Sequence, residues 1–564
     1  MEHWKLEIEK YKGTIEKSVA NNAVTIIRGP TGCGKTTYVP LMFQNKNVAI
    51  VEPRRLAVLH LYNVLKTKIN NLGYRMRFNR RTVDMERKRT VIYTDGAFLF
   101  DLDLTYDIII IDEIHERSTR MDILLMLLKQ KFKNKLILMS ATLDINVIQT
   151  FFNANLVDIK CKSFHCEEIY LETPTNDYIF EAFATVKTII KTDSNDSRKD
   201  ILIFLPGVED INDLFKLIRR LPNVTPYKIF STIDESEQLK IFENTPLRKV
   251  ILATNICETS LTIPSVKYVI DTGLVKNKIF NKVSYFGIQS ISCESAEQRK
   301  GRANRLGEGV CYRLYTKSQP LYNKIADILT SDITTSMLIL LKYNLDILEV
   351  EFLEYPPYEN ITFALQFLLD KHCIVIVNNR FKITSYGKRL LTYPFDVHLS
   401  NLYESTLISN LGYFGNILVA LISLDNYNFM QYSLKKEDTD IDYLLNVFEN
   451  YLKAHNKKEY CDTFSLPDKG MDKAFQIFKT LKKTHPNNLN AKDEIHKIFS
   501  KCFEHNLCIR QKDGSYKIKK TNQVVYLHPS SPFFKRSIQK IVVVDFFYTT
   551  KCYCRIVGKY FISI

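Results

Sequence analysis

The sequence predicts an α/β protein with two consecutive parallel-sheet lobes, then a helical region and a small β-rich region. Three observations predict this architecture. Short apolar runs alternate with amphipathic runs over the first 160 residues, and a second such series lies between residues 199 and 316. After about residue 318 the periodicity becomes helical, and the last sixty or so residues again contain short apolar runs. A chain of 564 residues is long enough for several domains.

The first lobe is predicted from five apolar runs that end in polar residues. Buried strands of a parallel sheet read as nearly continuous apolar segments, and ligands bind beyond their carboxyl ends. The polar ends of these runs are therefore where we expect a site. The runs are AVTIIR (23–28), NVAIVEP (47–53), TVIYTD (90–95), YDIIIIDE (106–113) and KLILMSAT (135–142).

Four similar runs predict the second lobe. In the remaining chain, the changed spacing of the apolar residues predicts first helices and then short strands. The second-lobe runs are KDILIFLPG (199–207), KVILATN (249–255), VKYVIDTG (266–273) and GVCYRLYT (309–316). Helical patterns follow in TTSMLILLKY and ALQFLLDKH, and short strands are predicted in QVVYLHPSS and KIVVVDFFYTT.

Composition is typical of a folded protein, with 45% hydrophobic and 25% charged residues. The net charge of +16 fits either a solvated lysine-rich surface or a polyanionic partner, and charge alone does not distinguish between these two explanations. The basic stretch 75–89 is interpreted as a solvated loop, with an extension of a nucleic-acid path as the alternative.

Neither a disulfide framework nor a membrane segment is expected. The twelve scattered cysteines form no paired Cys-x2-Cys modules, so we expect reduced thiols and neither disulfides nor zinc. The amino-terminal residues lack the apolar core of a signal peptide, and apolar runs are too short to cross a bilayer. We expect a soluble intracellular protein of the cytoplasm or nucleus.

The segment GPTGCGKTT has the spacing of a phosphate-binding loop between a strand and a helix. Its glycines let backbone N–H groups surround phosphate oxygens, the lysine neutralises phosphate charge, and the first threonine hydroxyl is a magnesium ligand. The sequence therefore predicts binding of ATP or GTP. The residues assigned to it are Gly29, Thr31, Gly32, Cys33, Gly34, Lys35, Thr36 and Thr37.

An acidic pair ends the very apolar run IIIIDEIH. Asp112 is expected to complete the magnesium shell with Thr36, directly or through water, and Glu113 to act as general base on the attacking water. Helix-capping acids are the alternative. His115 completes this Asp-Glu-Ile-His sequence. Ser140 and Thr142, at the end of the next strand, could couple the acidic pair to the second lobe or could simply cap the following segment.

The segment SAEQRKGRANR concentrates cations in the second lobe. The spacing of Arg299, Arg302 and Arg305 predicts one helical face, with Gln298 beside it. Like charges on one face repel unless an anion lies opposite, so a phosphate target is expected. These side chains could reach the triphosphate only if the two lobes close over it.

The ordered motifs resemble those of DEAH/RHA-type (DExH-box) helicases of superfamily 2. The motifs are GPTGCGKT, PRR (53–55), TDG (94–96), DEIH, SAT, FLPG (204–207), TNICETSLTIP (254–264) and QRKGRANR. The segments ITSYGKRLLTYPFDVHLSNL (383–402) and QVVYLHPSS to VVVDFFYTTKCYCR extend the resemblance. It implies RecA-like domains at 1–160 and 161–318, a winged helix at 319–395, a ratchet-like helical bundle at 396–500 and an OB-fold at 501–564.

The resemblance also implies roles for individual residues. Gln298 would position the lytic water, and Arg302 and Arg305 would be arginine fingers. Asp271, Arg299 and Phe242 are assigned to the nucleotide, although Phe242 fits a core position equally well. Residues 276–290 resemble a strand-separating hairpin, with a plain surface hairpin as the alternative. The residues assigned to the sugar-phosphate backbone are Arg54, Arg55, Thr94, Thr254 and Asn255.

The function implied is that of an ATP- and Mg²⁺-dependent RNA helicase that moves 3′ to 5′ on single-stranded RNA and unwinds duplexes or remodels RNA–protein complexes. A DNA or dual-substrate helicase and a catalytically inactive nucleic-acid scaffold are the alternatives. A glycine-rich-patch or complex-specific activator is a candidate partner, a monomer is favoured, and no membrane contact is expected. Richness in Ile, Lys, Asn and Tyr suggests an AT-rich genome, and a large DNA virus, with the protein in host cytoplasm or virion, is one source that fits.

Overall fold

The computed structural model describes residues 7–30, 32–100, 102, 105–131, 133, 135–141, 145–160, 164–192, 199–230, 233, 237, 240–243, 245–258, 263, 265–280, 284–305, 307–424, 429–430, 439–482, 491–534, 536–548 and 551–561. The chain divides into two compact units. The first comprises Met1–Lys276, Ile288–Ile328 and Glu351–Tyr355, and the second comprises Asn277–Gly287, Leu329–Val350 and Pro356–Ile564.

The first lobe of the first unit is an eight-stranded sheet in the order β4-β3-β5-β2-β6-β7-β1-β8. All pairings are parallel except the antiparallel pair β3–β4. The strands are β1 Val24–Arg28, β2 Val48–Glu52, β3 Leu72–Met76, β4 Asn79–Arg81, β5 Thr90–Thr94, β6 Ile108–Ile111, β7 Lys135–Ser140 and β8 Asn155–Asp158. The helices are Lys12–Asn21, Lys35–Met42, Arg55–Leu65, Asp95–Phe100, Thr119–Lys131 and Asn146–Phe152, with short 3₁₀ turns at Glu7–Tyr11 and Ile114–Glu116.

The second lobe is a six-stranded parallel sheet in the order β11-β12-β10-β13-β16-β9. Its strands are β9 Cys166–Leu171, β10 Asp200–Phe204, β11 Val224–Ile229, β12 Arg248–Ala253, β13 Val266–Asp271 and β16 Gly309–Thr316, and β14 Leu274–Phe280 and β15 Ser284–Ser290 come between β13 and β16 in the chain. The helices are Tyr178–Thr192, Val208–Ile218 and Cys293–Lys300, with 3₁₀ turns at Lys240–Phe242 and Asn255–Cys257.

Burial explains why these segments form strands and helices. All four isoleucines of β6 are buried, as expected for a central strand covered on both faces. The helix Val208–Ile218 buries Ile211, Leu214 and Ile218, which lie on one face at helical spacing. Every strand predicted from an apolar run in the two lobes is confirmed, because such runs are buried in the middle of each sheet.

The basic stretch 75–89 is only in part the predicted solvated loop: residues 82–89 form a mostly exposed loop, and strands precede them. Residues Leu72–Met76 and Asn79–Arg81 form an antiparallel hairpin that extends the first-lobe sheet beside β5. The strand sequences LGYRM and NRR carry no continuous apolar run, so the pairing of β3 with β5 and of β4 with β3, and not the local pattern, determines their structure.

The second unit combines helices with a small antiparallel-rich sheet. Its helices include Thr334–Lys342, Tyr358–Asp370, Ser385–Leu390, Val397–Ile408, Gly412–Ile422, Asp440–Lys453, Lys457–Thr463, Asp468–Thr480 and Ala491–Cys502, with a 3₁₀ turn at Glu504–Asn506; the helix Asp327–Thr330 lies at the boundary of the units. The strands are β17 Ile374–Val377 and β18 Arg380–Ile383, which form a two-stranded sheet, and β19 Leu507–Arg510, β20 Tyr516–Ile518, β21 Val524–Leu527, β22 Lys540–Tyr548 and β23 Cys552–Lys559. Tyr285 of β15 pairs with Phe546 of β22, so β14 and β15 belong to this last sheet.

Within the described part of the chain, no helix combines the length and the apolar character that a membrane crossing requires.

Candidate nucleotide site between the two lobes

The predicted phosphate loop connects β1 to the helix Lys35–Met42. Gly32 and Gly34 have φ values of 88° and 98°, a backbone region that favours glycine, so the loop needs glycine at both positions. Lys35 is buried, and its Nζ donates to the carbonyls of Gly29 at 2.5 Å and Pro30 at 3.0 Å. The amine is therefore held at the loop, where it can neutralise a bound phosphate.

The other assigned residues of this loop lie close by. Cys33 is buried, with its Sγ 3.7 Å from Lys35 Nζ. The Thr37 hydroxyl donates to the carbonyl of Gly34 at 3.4 Å. Thr31 lies outside the described residues.

The two predicted magnesium ligands contact one another. The Thr36 hydroxyl donates to the carboxylate of Asp112, which follows β6 at the carboxyl edge of the sheet. Burial, and then the neighbouring Glu113 carboxylate, raise the pKa of Asp112 to about 7. A hydroxyl and a carboxylate are the hard oxygen ligands that Mg²⁺ prefers, and a divalent cation would offset the acidic charge, so these residues fit the metal.

No group of three His, Cys, Asp or Glu side chains among the described residues is arranged to hold a metal ion by itself.

Glu113 begins a tight turn and is linked to the end of β7. Its φ of 52° lies in the left-handed region, which is uncommon for residues other than glycine. His115 Nε2 is 3.5 Å from a Glu113 carboxylate oxygen, and His115 Nδ1 is 3.5 Å from the Ser140 hydroxyl. Burial lowers the pKa of His115, which favours the neutral imidazole. Ser140, His115 and Glu113 thus form one connected group. Thr142 lies outside the described residues.

The expectation of one helical face for the arginines is wrong. The helix Cys293–Lys300 ends before Arg302. The backbone N–H of Arg302 donates to the carbonyl of Arg299, three residues earlier, which is the hydrogen bond of a 3₁₀ turn and not of an α-helix. Arg302 and Arg305 therefore project from a turn, while Arg299 points into the lobe. The reason is that the chain leaves the helix at Gly301, which the spacing alone did not reveal.

Arg305 reaches the phosphate loop of the other lobe. Its Cγ is 3.3 Å from the position that a Cβ on Gly32 would occupy. Burial, and then the nearby Arg302, lower the pKa of Arg305 well below its usual range. Two desolvated guanidinium groups close together are unfavourable by themselves, and an anion placed between the lobes would relieve their repulsion.

Arg302 is held by a backbone carbonyl of its own lobe. Its Nε donates to the carbonyl of Glu258 at 2.9 Å, and its pKa is lowered to about 10, chiefly by burial. Gln298 lies half-buried on the helix Cys293–Lys300, one turn before Arg302.

Arg299 and Asp271 have a different environment from the one their assignment requires. Arg299 is fully buried and bonds to Asp271 at 2.7 Å and to Glu258 at 2.7 Å, and Asp271 also accepts from Arg313 at 2.7 Å. Arg299 and Arg313 hold the pKa of Asp271 low in spite of burial. These contacts make both residues part of the interior of the second lobe, and direct binding to the nucleotide is not supported by their surroundings.

Phe242 lies in the 3₁₀ turn Lys240–Phe242 and stacks on His60 of the first lobe. The ring centroids are 5.9 Å apart with an angle of 24° between the planes. Phe242 is half-buried at the edge of the second-lobe core, so its ring faces the other lobe in part. Burial lowers the pKa of His60, and the pair presents two neutral rings.

The residues assigned to nucleic acid lie at the carboxyl edges of the two sheets. Thr94 ends β5, and Thr254 and Asn255 follow β12. The guanidinium of Arg54 donates to the carbonyl of Asn255 at 2.7 Å, which joins the two lobes directly. Arg55 donates to the carbonyl of Arg77 at 2.6 Å, in the β3–β4 hairpin.

Sequence reasoning missed three carboxylates of this site. Glu52 ends β2 beside Asp112, is 1% exposed, and has a carboxylate oxygen without a hydrogen-bond partner among the described residues. Glu116 forms an ion pair with Arg54, and the Glu258 carboxylate pairs with Arg299, while the Glu258 backbone carbonyl accepts from Arg302. The positions of these residues in the sequence could have indicated them. Glu52 directly precedes the PRR motif, Glu116 directly follows the DEIH motif, and Glu258 lies within the TNICETSLTIP motif.

Two family matches cover the two lobes. Residues 12–151 match the DEAD/DEAH box helicase family, and residues 181–307 match the helicase conserved C-terminal domain. The chain is 31% identical to the ATP-dependent RNA helicase DHX33 of Drosophila melanogaster, over 92% of this chain and 82% of that protein. It is 29% identical to the ATP-dependent RNA helicase HrpA of Borreliella burgdorferi, over 99% of this chain and 74% of that protein.

The fold is similar to that of a solved structure of the same class. The crystal structure of Escherichia coli DEAH/RHA helicase HrpB matches with a TM-score of 0.80 and 22% sequence identity, over 99% of this chain and 71% of that chain. This likeness and the two family matches confirm the predicted fold class of two tandem RecA-like domains. The last sheet of the second unit is consistent with the predicted OB-fold.

Proposed function

The chain belongs to the DEAH/RHA-type family of superfamily 2 helicases, and on that premise we propose that it is an ATP-dependent RNA helicase. It translocates 3′ to 5′ on single-stranded RNA and unwinds duplexes or remodels RNA–protein complexes. The observation that carries the proposal is the contact of Arg305 with Gly32, which puts a second-lobe cation on the phosphate loop of the first lobe.

ATP is held on both sides of the cleft. Backbone N–H groups of residues 29–37 surround its phosphates, and Lys35 neutralises their charge. Glu113 accepts the proton of the attacking water, which Gln298 orients. Arg302 and Arg305 stabilise the charge that develops on the transferred phosphoryl group, an effect worth roughly 10³–10⁵ in rate for such fingers. Phe242 stacks on the base.

The donor set at Thr36 and Asp112 would hold Mg²⁺ together with phosphate oxygens. When bound, the ion neutralises charge on the triphosphate. The Thr36–Asp112 contact brings a hydroxyl and a carboxylate oxygen together, and these two side chains would supply oxygen ligands to the ion.

RNA lies across the carboxyl edges of both sheets. Arg54, Arg55, Thr94, Thr254 and Asn255 contact its sugar-phosphate backbone, so binding is largely independent of sequence. The net charge of +16 favours such a polyanion. The neighbouring strands β14 and β15 separate the two strands of a duplex.

The finer domain division and the cellular context belong to the same proposal. The two RecA-like domains extend over 1–160 and 161–318, followed by a winged helix (319–395), a ratchet-like bundle (396–500) and an OB-fold (501–564). The protein works in the cytoplasm or nucleus as a monomer, with a glycine-rich-patch or complex-specific protein as activator.

The test is ATP hydrolysis by the wild type and the Glu113→Gln variant, without polymer and with single-stranded RNA or DNA. We expect RNA to stimulate the wild type and Glu113→Gln to hydrolyse almost no ATP. Absence of stimulation by either polymer would rule out a motor, and stimulation by DNA alone would change the substrate to DNA. Duplexes with a 3′ or a 5′ overhang then test the direction of movement.

A further inference from the structure

Arg54, an assigned RNA contact, is already engaged by two groups of the protein. Its Nη2 is 3.1 Å from a carboxylate oxygen of Glu116, and its Nη1 donates to the carbonyl of Asn255 at 2.7 Å. The two partners come from different lobes. The side chains of Arg54 and Glu116 are only 20% and 14% exposed, so the ion pair is weakly screened by water.

The charges around Arg54 are mostly negative. Although burial works against it, Glu116, then Glu258 and Glu113, raise the pKa of Arg54. An RNA phosphate that approaches the same guanidinium meets the carboxylate of Glu116 as a competitor of like charge. Arginine presents several donors in a fixed fork, so one donor can exchange partners while another stays bound to Asn255.

Glu116 is connected to the general base by a three-residue turn. Glu116 N–H donates to the carbonyl of Glu113 at 2.9 Å within the 3₁₀ turn Ile114–Glu116. Glu113 and Arg117, which flank this turn, have φ values of 52° and 48°. Non-glycine residues persist in that region only when their surroundings fix them.

The far end of the turn is anchored as well. Arg117 bonds to Asp122 at 2.8 Å and to Glu354 at 3.1 Å. Arg117 is held in place, so the turn cannot move at that end when Glu116 is displaced. A displacement of Glu116 is therefore passed to Glu113, at the opposite end of the turn.

We propose that Glu116 is the positioning residue through which RNA binding reaches the hydrolytic site. An RNA phosphate replaces the Glu116 carboxylate on Nη2 of Arg54, while Nη1 keeps its bond to Asn255 and the lobes stay bridged. The released Glu116 lets the turn adjust, and Glu113 aligns with the attacking water. The inference depends on the proposed function, since it requires RNA at Arg54 and hydrolysis at Glu113.

The test is a double-mutant cycle with Glu116→Gln, Arg54→Gln and the double variant. Binding of a labelled single-stranded oligouridylate is followed by fluorescence anisotropy, and ATP hydrolysis is measured over a range of RNA concentrations. The exposed first-lobe residue Glu9 supplies a matched control, because Glu9→Gln removes the same charge away from Arg54.

Glu116→Gln is expected to bind RNA roughly three- to tenfold more tightly, which lies in the lower part of the range for coupled neighbours. The RNA concentration for half-maximal stimulation should fall by the same factor. The rate without RNA should rise, so that the stimulation ratio decreases. In the Arg54→Gln background the same change should have no effect on RNA affinity, and Glu9→Gln should behave like the wild type.

Unchanged or weaker RNA binding by Glu116→Gln, or tighter binding that persists without Arg54, overturns the inference. In those cases the wild type is still stimulated by RNA, and the proposed function stands. A wild type that neither binds RNA nor responds to it overturns both. Thermal melting of each variant separates these results from loss of folding.

Discussion

Replacement of Arg305 by methionine tests the closure of the two lobes. Methionine retains an unbranched apolar stem of similar reach and removes the guanidinium. Because the Arg305 stem lies 3.3 Å from the position of a Gly32 Cβ, the change leaves packing against the phosphate loop and removes the positive charge there. The expected loss in kcat is roughly 10³–10⁵, which equals about 4–7 kcal/mol of transition-state stabilisation.

Stability should change in the opposite direction. Burial and the neighbouring Arg302 lower the pKa of Arg305, which means that the folded protein holds this charge at a cost. Without a phosphate in the cleft, the free energy of unfolding of Arg305→Met should equal or exceed that of the wild type. Residues placed for function commonly show this pattern.

The assay combines single-turnover ATP hydrolysis, binding of a fluorescent ATP analogue and thermal melting. Arg220→Met, at an exposed position of the same lobe, is the control and should leave all three unchanged. A kcat of Arg305→Met within tenfold of the wild type would refute the reasoning. So would a melting temperature that falls together with activity, since that would indicate a structural role.

Three further predictions concern the first lobe and the second unit. Glu113→Gln should lower kcat by roughly 10²–10⁴ while ATP binding persists, as measured by hydrolysis and by analogue binding. Gly32→Ala places a Cβ at φ 88°, a strain of about 1–2 kcal/mol, and should weaken ATP binding about tenfold, whereas Gly13→Ala, with open space around its Cβ, should not. Burial raises the pKa of Asp440 to about 7. The contribution of the Asp440 carboxyl group to the free energy of unfolding therefore falls by about 4 kcal/mol as pH rises from about 4 to 7. Denaturant titrations of Asp440→Asn across that range should not show this fall. A pH dependence equal in wild type and variant would contradict the last prediction.

The pH prediction follows from the direction of the shift. Asp440 is 1% exposed and accepts hydrogen bonds from the Ser531 hydroxyl at 2.5 Å and from Val557 N–H at 2.8 Å, which only partly compensate its burial. The folded state therefore holds the proton more tightly than the unfolded state. Below about pH 4 the group is neutral in both states, and above about pH 7 the folded state bears the full cost of a buried charge.

The sequence by itself determined the fold class and the phosphate loop. Both depend on local information: a strand such as β6 is a run of apolar residues, and the loop needs glycine and lysine at fixed spacing. The order of motifs was sufficient to identify the family resemblance. Local patterns failed at β3 and β4, where pairing to a neighbouring strand outweighs a charged and irregular sequence.

Only the tertiary structure decided which side chains meet. Arg54 and Asn255 are 201 residues apart in the chain, and Arg305 reaches Gly32 from the other lobe. Glu52 becomes a neighbour of Asp112 because β2 pairs with β6 in one particular register. Arg299 and Arg302 lie three residues apart, and one is buried in an ion-pair network while the other projects from a turn. Such contacts depend on how sheets and lobes pack, and no local pattern contains that information.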